Sequence, residues 1–295
     1  MGSSDSILAG IGATVLAVML AVCGFAFCCM PATTNWLAGQ VSTGEGSPYT
    51  HEQLVRLADV TRTYTVDQAS IEGSSPAGAV ANVTLECARE ASAEGSPKAA
   101  EWSPEAKKVL ADEGSDGAPE VTVDKLAQIS DRYALDGAAM THLDDCYRAI
   151  TGVSSWLGMI GVAALIIVIL LFARKQFAAL AFMLRMGPIL LAVVLAVLGL
   201  WAVFDFNGLF AVFHSFFFEE GTWTFPPDSL LISMYPLDFW RGMAGVWAAG
   251  ALGLGILCFV AGCVAAWRAK RQAAELAAQA ARSAKSSKKG KKNRG

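Results

Sequence analysis

Charge is scarce in this sequence. Only 17% of its residues are Asp, Glu, Lys or Arg, where a soluble domain carries about 25%. Hydrophobic residues make up 54%, and the mean hydropathy is +0.43. That imbalance excludes a soluble enzyme, and it excludes a DNA-binding domain with an incidental apolar patch. Histidine is rarer still, with three in 295 residues and no flanking ligand pattern, so no metal site is expected. The chain has no G-x-S-x-G elbow, no P-loop, no C-x-x-C and no H-E-x-x-H, and nothing in it calls for a cofactor. No Asp, Glu, Lys or Arg falls in the middle of any long apolar run. Ion-coupled carriers keep an ionisable group there, so a pump is disfavoured.

The apolar residues fall into four blocks: Ile7–Met30, Val153–Ala173, Gly187–Phe204 and Trp240–Trp267. Each approaches the roughly 20 residues that a helix needs to cross about 30 Å of hydrocarbon. Charge is segregated between them. Pro31–Gly152 carries 19 acidic and 9 basic side chains, whereas Arg268–Gly295 carries ten basic residues and one acid, Glu275. The link between blocks two and three holds Arg174, Lys175 and Arg185 and no acid. Lys and Arg near span ends mark the cytoplasmic side. Both termini are therefore expected in the cytoplasm of a bacterial plasma-membrane protein, with the acidic segment and the Asp205–Phe239 loop outside. The expected fold class is an all-α membrane protein: four transmembrane helices, a helical extracytoplasmic cap and an aromatic interfacial loop or helix. The expected segments are 1–30, 31–152 (cap), 153–173, 174–186 (basic loop), 187–205, 206–239 (aromatic loop), 240–267 and 268–295 (basic tail).

The first block reads as a retained anchor. Its six leading residues lack Lys and Arg, and its apolar run exceeds a signal-peptide core. In the tail, an Ala-rich part extends the fourth helix and the remainder is expected to be disordered. Its charge suits a membrane surface better than nucleic acid. Cys23, Cys28, Cys29, Cys258 and Cys263 lie in spans as small apolar residues. Cys87 and Cys146 alone face outward, where a disulfide is permitted, and are expected to pair.

Within the cap, Thr50-His51-Glu52-Gln53 is a capping-box pattern, and the stripe Leu54, Leu57, Ala58, Thr61, Tyr64 predicts a helix behind it. Ser103-Pro104 predicts a second helix through about Ala111. Thr84–Ala93 and Val123–Tyr133 are weaker candidates. Ala138–Ile150 predicts a helix running on into the second span. Spacers fall at Glu72–Gly78, Gly95–Pro97 and Gly114–Pro119.

Two histidines remain. His142 and Asp145 are three apart on one helical face, so the carboxylate is expected to hold the imidazole, or the two form a plain surface ion pair. His214 borders a stripe of Phe206, Phe210, Phe213 and Phe217, followed by Trp223, Asp228, Tyr235 and Arg241. An aromatic belt at a span end explains the tryptophans. It does not explain a titratable side chain among six phenylalanines.

The run Phe213-His214-Ser215-Phe216-Phe217, then Trp223, Asp228-Ser229-Leu230-Leu231-Ile232 and Tyr235-Pro236 to Phe239-Trp240, resembles the bacterial four-span family that includes the lipoprotein intramolecular transacylases. So do His142-Leu143-Asp144-Asp145 before the second span and Tyr49-Thr50 after the first. Ile71–Glu120 looks like an insertion, and the Cys87 and Cys146 pair is not a family feature. The resemblance implies an acyltransferase that moves the sn-2 acyl chain of a diacylglyceryl-cysteine lipoprotein onto the cysteine α-amino group. Its partners would be that lipoprotein N-terminus and membrane lipid. His142 and His214 are the implied catalytic pair, with His214 as base and His142 as donor to the oxyanion, or the reverse. Asp145, Trp223, Asp228, Tyr235 and Arg241 are supporting residues. Asp228 is expected to cap the turn after Pro226-Pro227, and Arg241 to anchor the fourth span or meet headgroup oxygens. Two other classes stay open: an accessory protein whose cap holds an envelope partner, and a lipid-binding or lipid-moving protein. Convergence of the two imidazoles to within about 8 Å favours chemistry.

Overall fold

The computed structural model describes residues 3–41, 46–112 and 118–292. Among these there are helices and no strands: α1 (Ser3–Cys28), α2 (Pro31–Gln40), α3 (His51–Val66), α4 (Pro76–Ser92), α5 (Pro104–Ala111), α6 (Pro119–Ile129), α7 (Gly137–Ala173), α8 (Phe177–Ser215), α9 (Leu230–Met234) and α10 (Leu237–Lys292). Four of them, α1, α7, α8 and α10, are long and apolar enough to cross a membrane. The spacer expected at Gly114–Pro119 lies mostly outside the described residues. The chain divides into two compact units, one of Met1–Gly24, Leu157–Val197 and Ala249–Gly295, the other of Phe25–Trp156 and Leu198–Ala248.

The first unit packs through small residues. A Cβ on Gly187 would stand 3.0 Å from the Ala13 carbonyl oxygen and 3.1 Å from Leu16 Cβ, so glycine lets α1 and α8 approach closely. Ala9, Leu171, Ala179, Met183 and Ala265 are buried. Val162, Leu165, Val197, Leu257 and Val260 are each more than half exposed. A band of large aliphatic side chains facing outward is stable where the surrounding solvent is hydrocarbon.

Two boundaries differ from the sequence expectation. The link after α7 is only Arg174–Gln176, turned by Lys175 at φ 54°. The apolar run Phe177–Leu184 is already helical, which carries Arg185 into α8. At the other end, α10 continues through the tail to Lys292 rather than giving way to disorder. Alanine between Arg268 and Ala284 has the highest helix propensity, and cations near a helix C-terminus complement its dipole.

The second unit is the cap with the chain segments that pack into it. Thr50 Oγ1 accepts from Gln53 N–H at 3.3 Å and Gln53 Oε1 accepts from Thr50 N–H at 2.9 Å, the expected capping box. All five stripe residues of α3 are buried. Arg56 ties α3 to α4 through Glu86 and Glu90. α5 begins at Pro104 behind the Ser103 N-cap, as expected. α2 was not anticipated; its sequence signal is Pro31 at the first helical position, and it buries Thr34, Leu37 and Ala38. The segment read as an insertion is not an appendage. Val80, Leu85, Ala88, Trp102 and Ala106 belong to the same core as Tyr49, Leu54, Leu126 and Leu143.

No disulfide joins Cys87 to Cys146; both are free thiols. Cys87 is enclosed within α4 against α3, its Sγ 4.0 Å from the Gln53 carbonyl oxygen, while Cys146 faces His142 on α7. Pairing requires Cα atoms within about 7 Å, and these two helix faces turn to different neighbours. Burial pushes the Cys87 thiol up to about 11, and the thiolate is the reactive form. Alkylation of the folded protein is therefore expected to spare Cys87. After denaturation without reductant, mass spectrometry is expected to find both cysteines modified; a linked Cys87–Cys146 peptide would overturn this.

Candidate active site

Local sequence sets where each histidine stands. α7 starts one residue after Asp136, whose Oδ1 accepts from Ala139 N–H at 2.8 Å, and His142 follows on its second turn. On α8 the helix breaks at Asp205 (φ −153°, ψ 79°). Asp205 Oδ1 accepts from Gly208 N–H at 2.8 Å, so it acts as an N-cap for the stretch Phe206–Ser215. A Cβ at position 208 would collide with that carboxylate, which is why glycine occupies it. The aromatic helix read from the sequence is thus present, re-started by its own cap, and it carries His214.

The two imidazoles meet. Their ring centroids lie 6.4 Å apart with planes inclined by 22°, inside the 8 Å limit set from the sequence. His142 is 9% and His214 7% exposed. Phe218 stands 4.8 Å from His142 and 5.6 Å from His214. Phe225 lies 5.5 Å from His142; Phe210 and Trp223 lie 3.9 Å and 4.9 Å from His214. A cation in such an enclosure would lose hydration with no counter-charge in hydrogen-bond contact, so both rings are held neutral.

Hydrogen bonding then distinguishes the four ring nitrogens. His214 Nδ1 is 2.8 Å from the Phe210 carbonyl oxygen. A carbonyl only accepts, so Nδ1 carries the proton and Nε2 presents a lone pair. His142 Nε2 is 3.6 Å from Cys146 Sγ, and its Nδ1 is buried without a partner. Trp223 Nε1 is likewise buried without a partner.

Asp145 does not hold His142. Its Oδ1 accepts from Arg148 at 2.7 Å, because a guanidinium at i+3 outbids a neutral ring for a half-exposed carboxylate. The i+4 neighbour that does reach the ring is Cys146, on the same helical spacing rule. The adjacent Asp144 accepts from Tyr64 Oη at 2.5 Å, a cross-link to α3 that spacing alone cannot reveal. Burial, then that hydrogen bond, raises the Tyr64 hydroxyl above its ordinary value. Tyr235 turns its hydroxyl to α3, donating to Ala58 O and meeting Thr61 Oγ1, each at 2.7 Å. Asp228 does not cap the Pro226-Pro227 turn. Ser229 caps α9 through Ile232 N–H at 3.4 Å, and Asp228 faces Arg132 at 3.9 Å. Arg241 pairs with Asp238 at 2.8 Å and lies over the Phe206 ring. Among the described residues no three of His, Cys, Asp and Glu converge as metal ligands.

Four long apolar helices and a buried histidine pair walled by aromatic rings define an integral membrane protein with an enclosed polar centre. Residues 122–240 match the model of the family "Lipoprotein intramolecular transacylase Lit". That stretch contains both histidines, Trp223 and Tyr235, so the family resemblance read from the sequence is shown over it, and the matched family is one of acyltransferases. Two solved structures are similar, both of the membrane integral lipoprotein intramolecular transacylase Lit from Bacillus cereus. One has a TM-score of 0.60 at 16% identity, covering 92% of this chain and 99% of the other. The second, a histidine-to-arginine variant, has a TM-score of 0.57 at 16% identity, covering 93% and 96%. The four-span all-α fold is shared. A search of curated protein sequences returned no match.

Proposed function

We propose that this protein moves the sn-2 acyl chain of a diacylglyceryl-cysteine lipoprotein onto the cysteine α-amino group, leaving a lyso-form lipoprotein. The observation that carries the reading is the buried pair His142 and His214 at 6.4 Å, with His214 Nε2 free of any protein donor. Two imidazoles this close can both serve one bound ester group, as general acid–base work requires.

The chemistry needs only these groups. An α-amine of ordinary pKa is about one-tenth neutral at pH 7. Its nitrogen attacks the ester carbonyl carbon; the new C–N bond forms as the carbonyl becomes an oxyanion. His214 Nε2 takes the proton from the ammonium of the tetrahedral adduct. Collapse breaks the carbon–oxygen bond, and the same proton passes to the sn-2 oxygen, so the enzyme ends unchanged. His142 Nδ1–H donates to the oxyanion meanwhile. Nucleophile and ester belong to one molecule, and an enclosure that folds it into attack geometry supplies further acceleration.

Basic residues at Arg174, Lys175 and the tail support cytoplasmic termini, which assigns the cap and the histidine pair to the extracytoplasmic side. The substrates there would be the lipoprotein N-terminus and its lipid. The test is expression in a host that lacks lipoprotein N-acylation, followed by mass spectrometry of lipoprotein N-termini. N-acylated lyso-form product is expected; diacylglyceryl-cysteine with a free amine throughout would overturn the proposal.

A further inference from the structure

The mechanism above uses His142 as a single oxyanion donor and leaves the indole of Trp223 without a task. Trp223 lies on the segment between α8 and α9, its ring 4.9 Å from His214 and tilted by 35°. Its Nε1 is shut off from solvent and has no acceptor. An aromatic-belt tryptophan does the opposite, turning its N–H to headgroups or water. No neighbour accepts from it: Phe210 is a hydrocarbon ring 6.5 Å away, its carbonyl is taken by His214 Nδ1, and the lone pair on His214 Nε2 makes no hydrogen bond to the indole.

Indole N–H is a donor and never an acceptor. A buried donor without a partner is rare enough to require an explanation, and the group that satisfies it must bring an oxygen. The second unpartnered nitrogen of the enclosure is His142 Nδ1, which has the same requirement when Nε2 accepts from the Cys146 thiol and the ring proton sits on Nδ1. Both belong to rings that flank His214, the residue assigned to the amine proton.

We infer that Trp223 Nε1–H is a second oxyanion donor, acting with His142 Nδ1–H on the carbonyl oxygen of the acyl ester. This inference rests on the transacylase reading. A neutral indole serves well here, because it neither titrates nor competes with the amine for a proton. Two donors to one carbonyl oxygen would also select an ester over an ether-linked chain, which lacks that oxygen.

The test uses the full chain in detergent micelles with a synthetic diacylglyceryl-cysteine peptide. Trp223→Phe keeps a ring against His214 and removes only the donor. It is expected to lower kcat by about 10²–10³-fold with a far smaller rise in KM, because a hydrogen bond to the ester carbonyl strengthens as that oxygen takes on charge. A Trp223→Phe enzyme with wild-type kcat overturns the inference while leaving the transacylase reading intact. A wild-type chain that forms no product overturns both. A measurement on the unmutated chain avoids dependence on the variant's folding. The Nε1–H resonance of Trp223, assigned by its loss in Trp223→Phe, is followed while the N-acetylated peptide, whose blocked amine cannot accept the chain, is added. A downfield shift with this peptide, and none with its ether-linked analogue, is expected; a resonance that stays in place overturns the inference.

Discussion

Replacing His214 by alanine is expected to lower formation of the N-acylated product by about 10²–10⁴-fold, the contribution of a positioned general base. The ring is oriented by two independent restraints. Its Nδ1–H is anchored on the Phe210 carbonyl at 2.8 Å, and its faces are flanked by Phe210 and Trp223. Little freedom is left to the lone pair at Nε2, so loss of the ring cannot be made good by a neighbour. His142 is the nearest titratable group, but its Nε2 lies beside Cys146. His142→Ala is expected to cost less, about 10²–10³-fold, because it removes one oxyanion donor. The readout is product formed by purified protein from the diacylglyceryl-cysteine peptide, followed by mass spectrometry. Wild-type rates in His214→Ala would remove that side chain from the chemistry, and equal rates in His142→Ala would do the same for its partner.

The second large effect is on stability. Trp102 is 3% exposed, stacked on Tyr133 at 4.6 Å and met edge-on by Tyr49 at 5.5 Å. Its Nε1–H donates to the Pro48 carbonyl at 2.9 Å. The surrounding hydroxyls are also committed: Tyr49 to Tyr133 O, and Tyr133 to Glu101 O with Ser103 N–H on its oxygen. Trp102→Ala would open a cavity that this bonded frame cannot close, and is expected to destabilise the protein by about 3–5 kcal/mol. Trp102→Phe retains most of the contact and loses the hydrogen bond, for about 1 kcal/mol. Thermal unfolding in detergent reads both. A Trp102→Ala protein that melts with the wild type would mean that the 71–120 segment is dispensable to the core, contrary to its shared burial with Leu54 and Leu126.

Cap anatomy was legible wherever a local rule is self-contained. Thr50 and Gln53 sit three apart and satisfy each other without help from elsewhere, and Ser103 before Pro104 does its capping within one turn. α2 escaped because it has no side-chain cap, and its main signal is one proline. The disulfide expectation failed for a different reason. Redox compartment and a count of two cysteines say that pairing is allowed, yet distance decides whether it happens, and distance is not a local property. Asp145 is a similar case: i, i+3 spacing offered it both His142 and Arg148, and the cation won.

Hydropathy and charge placement alone determined that this is a four-span helical membrane protein with an acidic cap, because transfer of side chains and backbone from water to hydrocarbon depends on composition over about 20 residues. Composition of the Phe206–Phe218 stretch likewise marked His214 as anomalous. Only the tertiary structure decided that His142, 72 positions earlier in the chain, stacks toward it. It also decided which ring nitrogens are occupied, and that Trp223 turns its donor inward. Those outcomes depend on contacts between segments remote in sequence, where burial and directional hydrogen bonds choose among arrangements that every local rule permits.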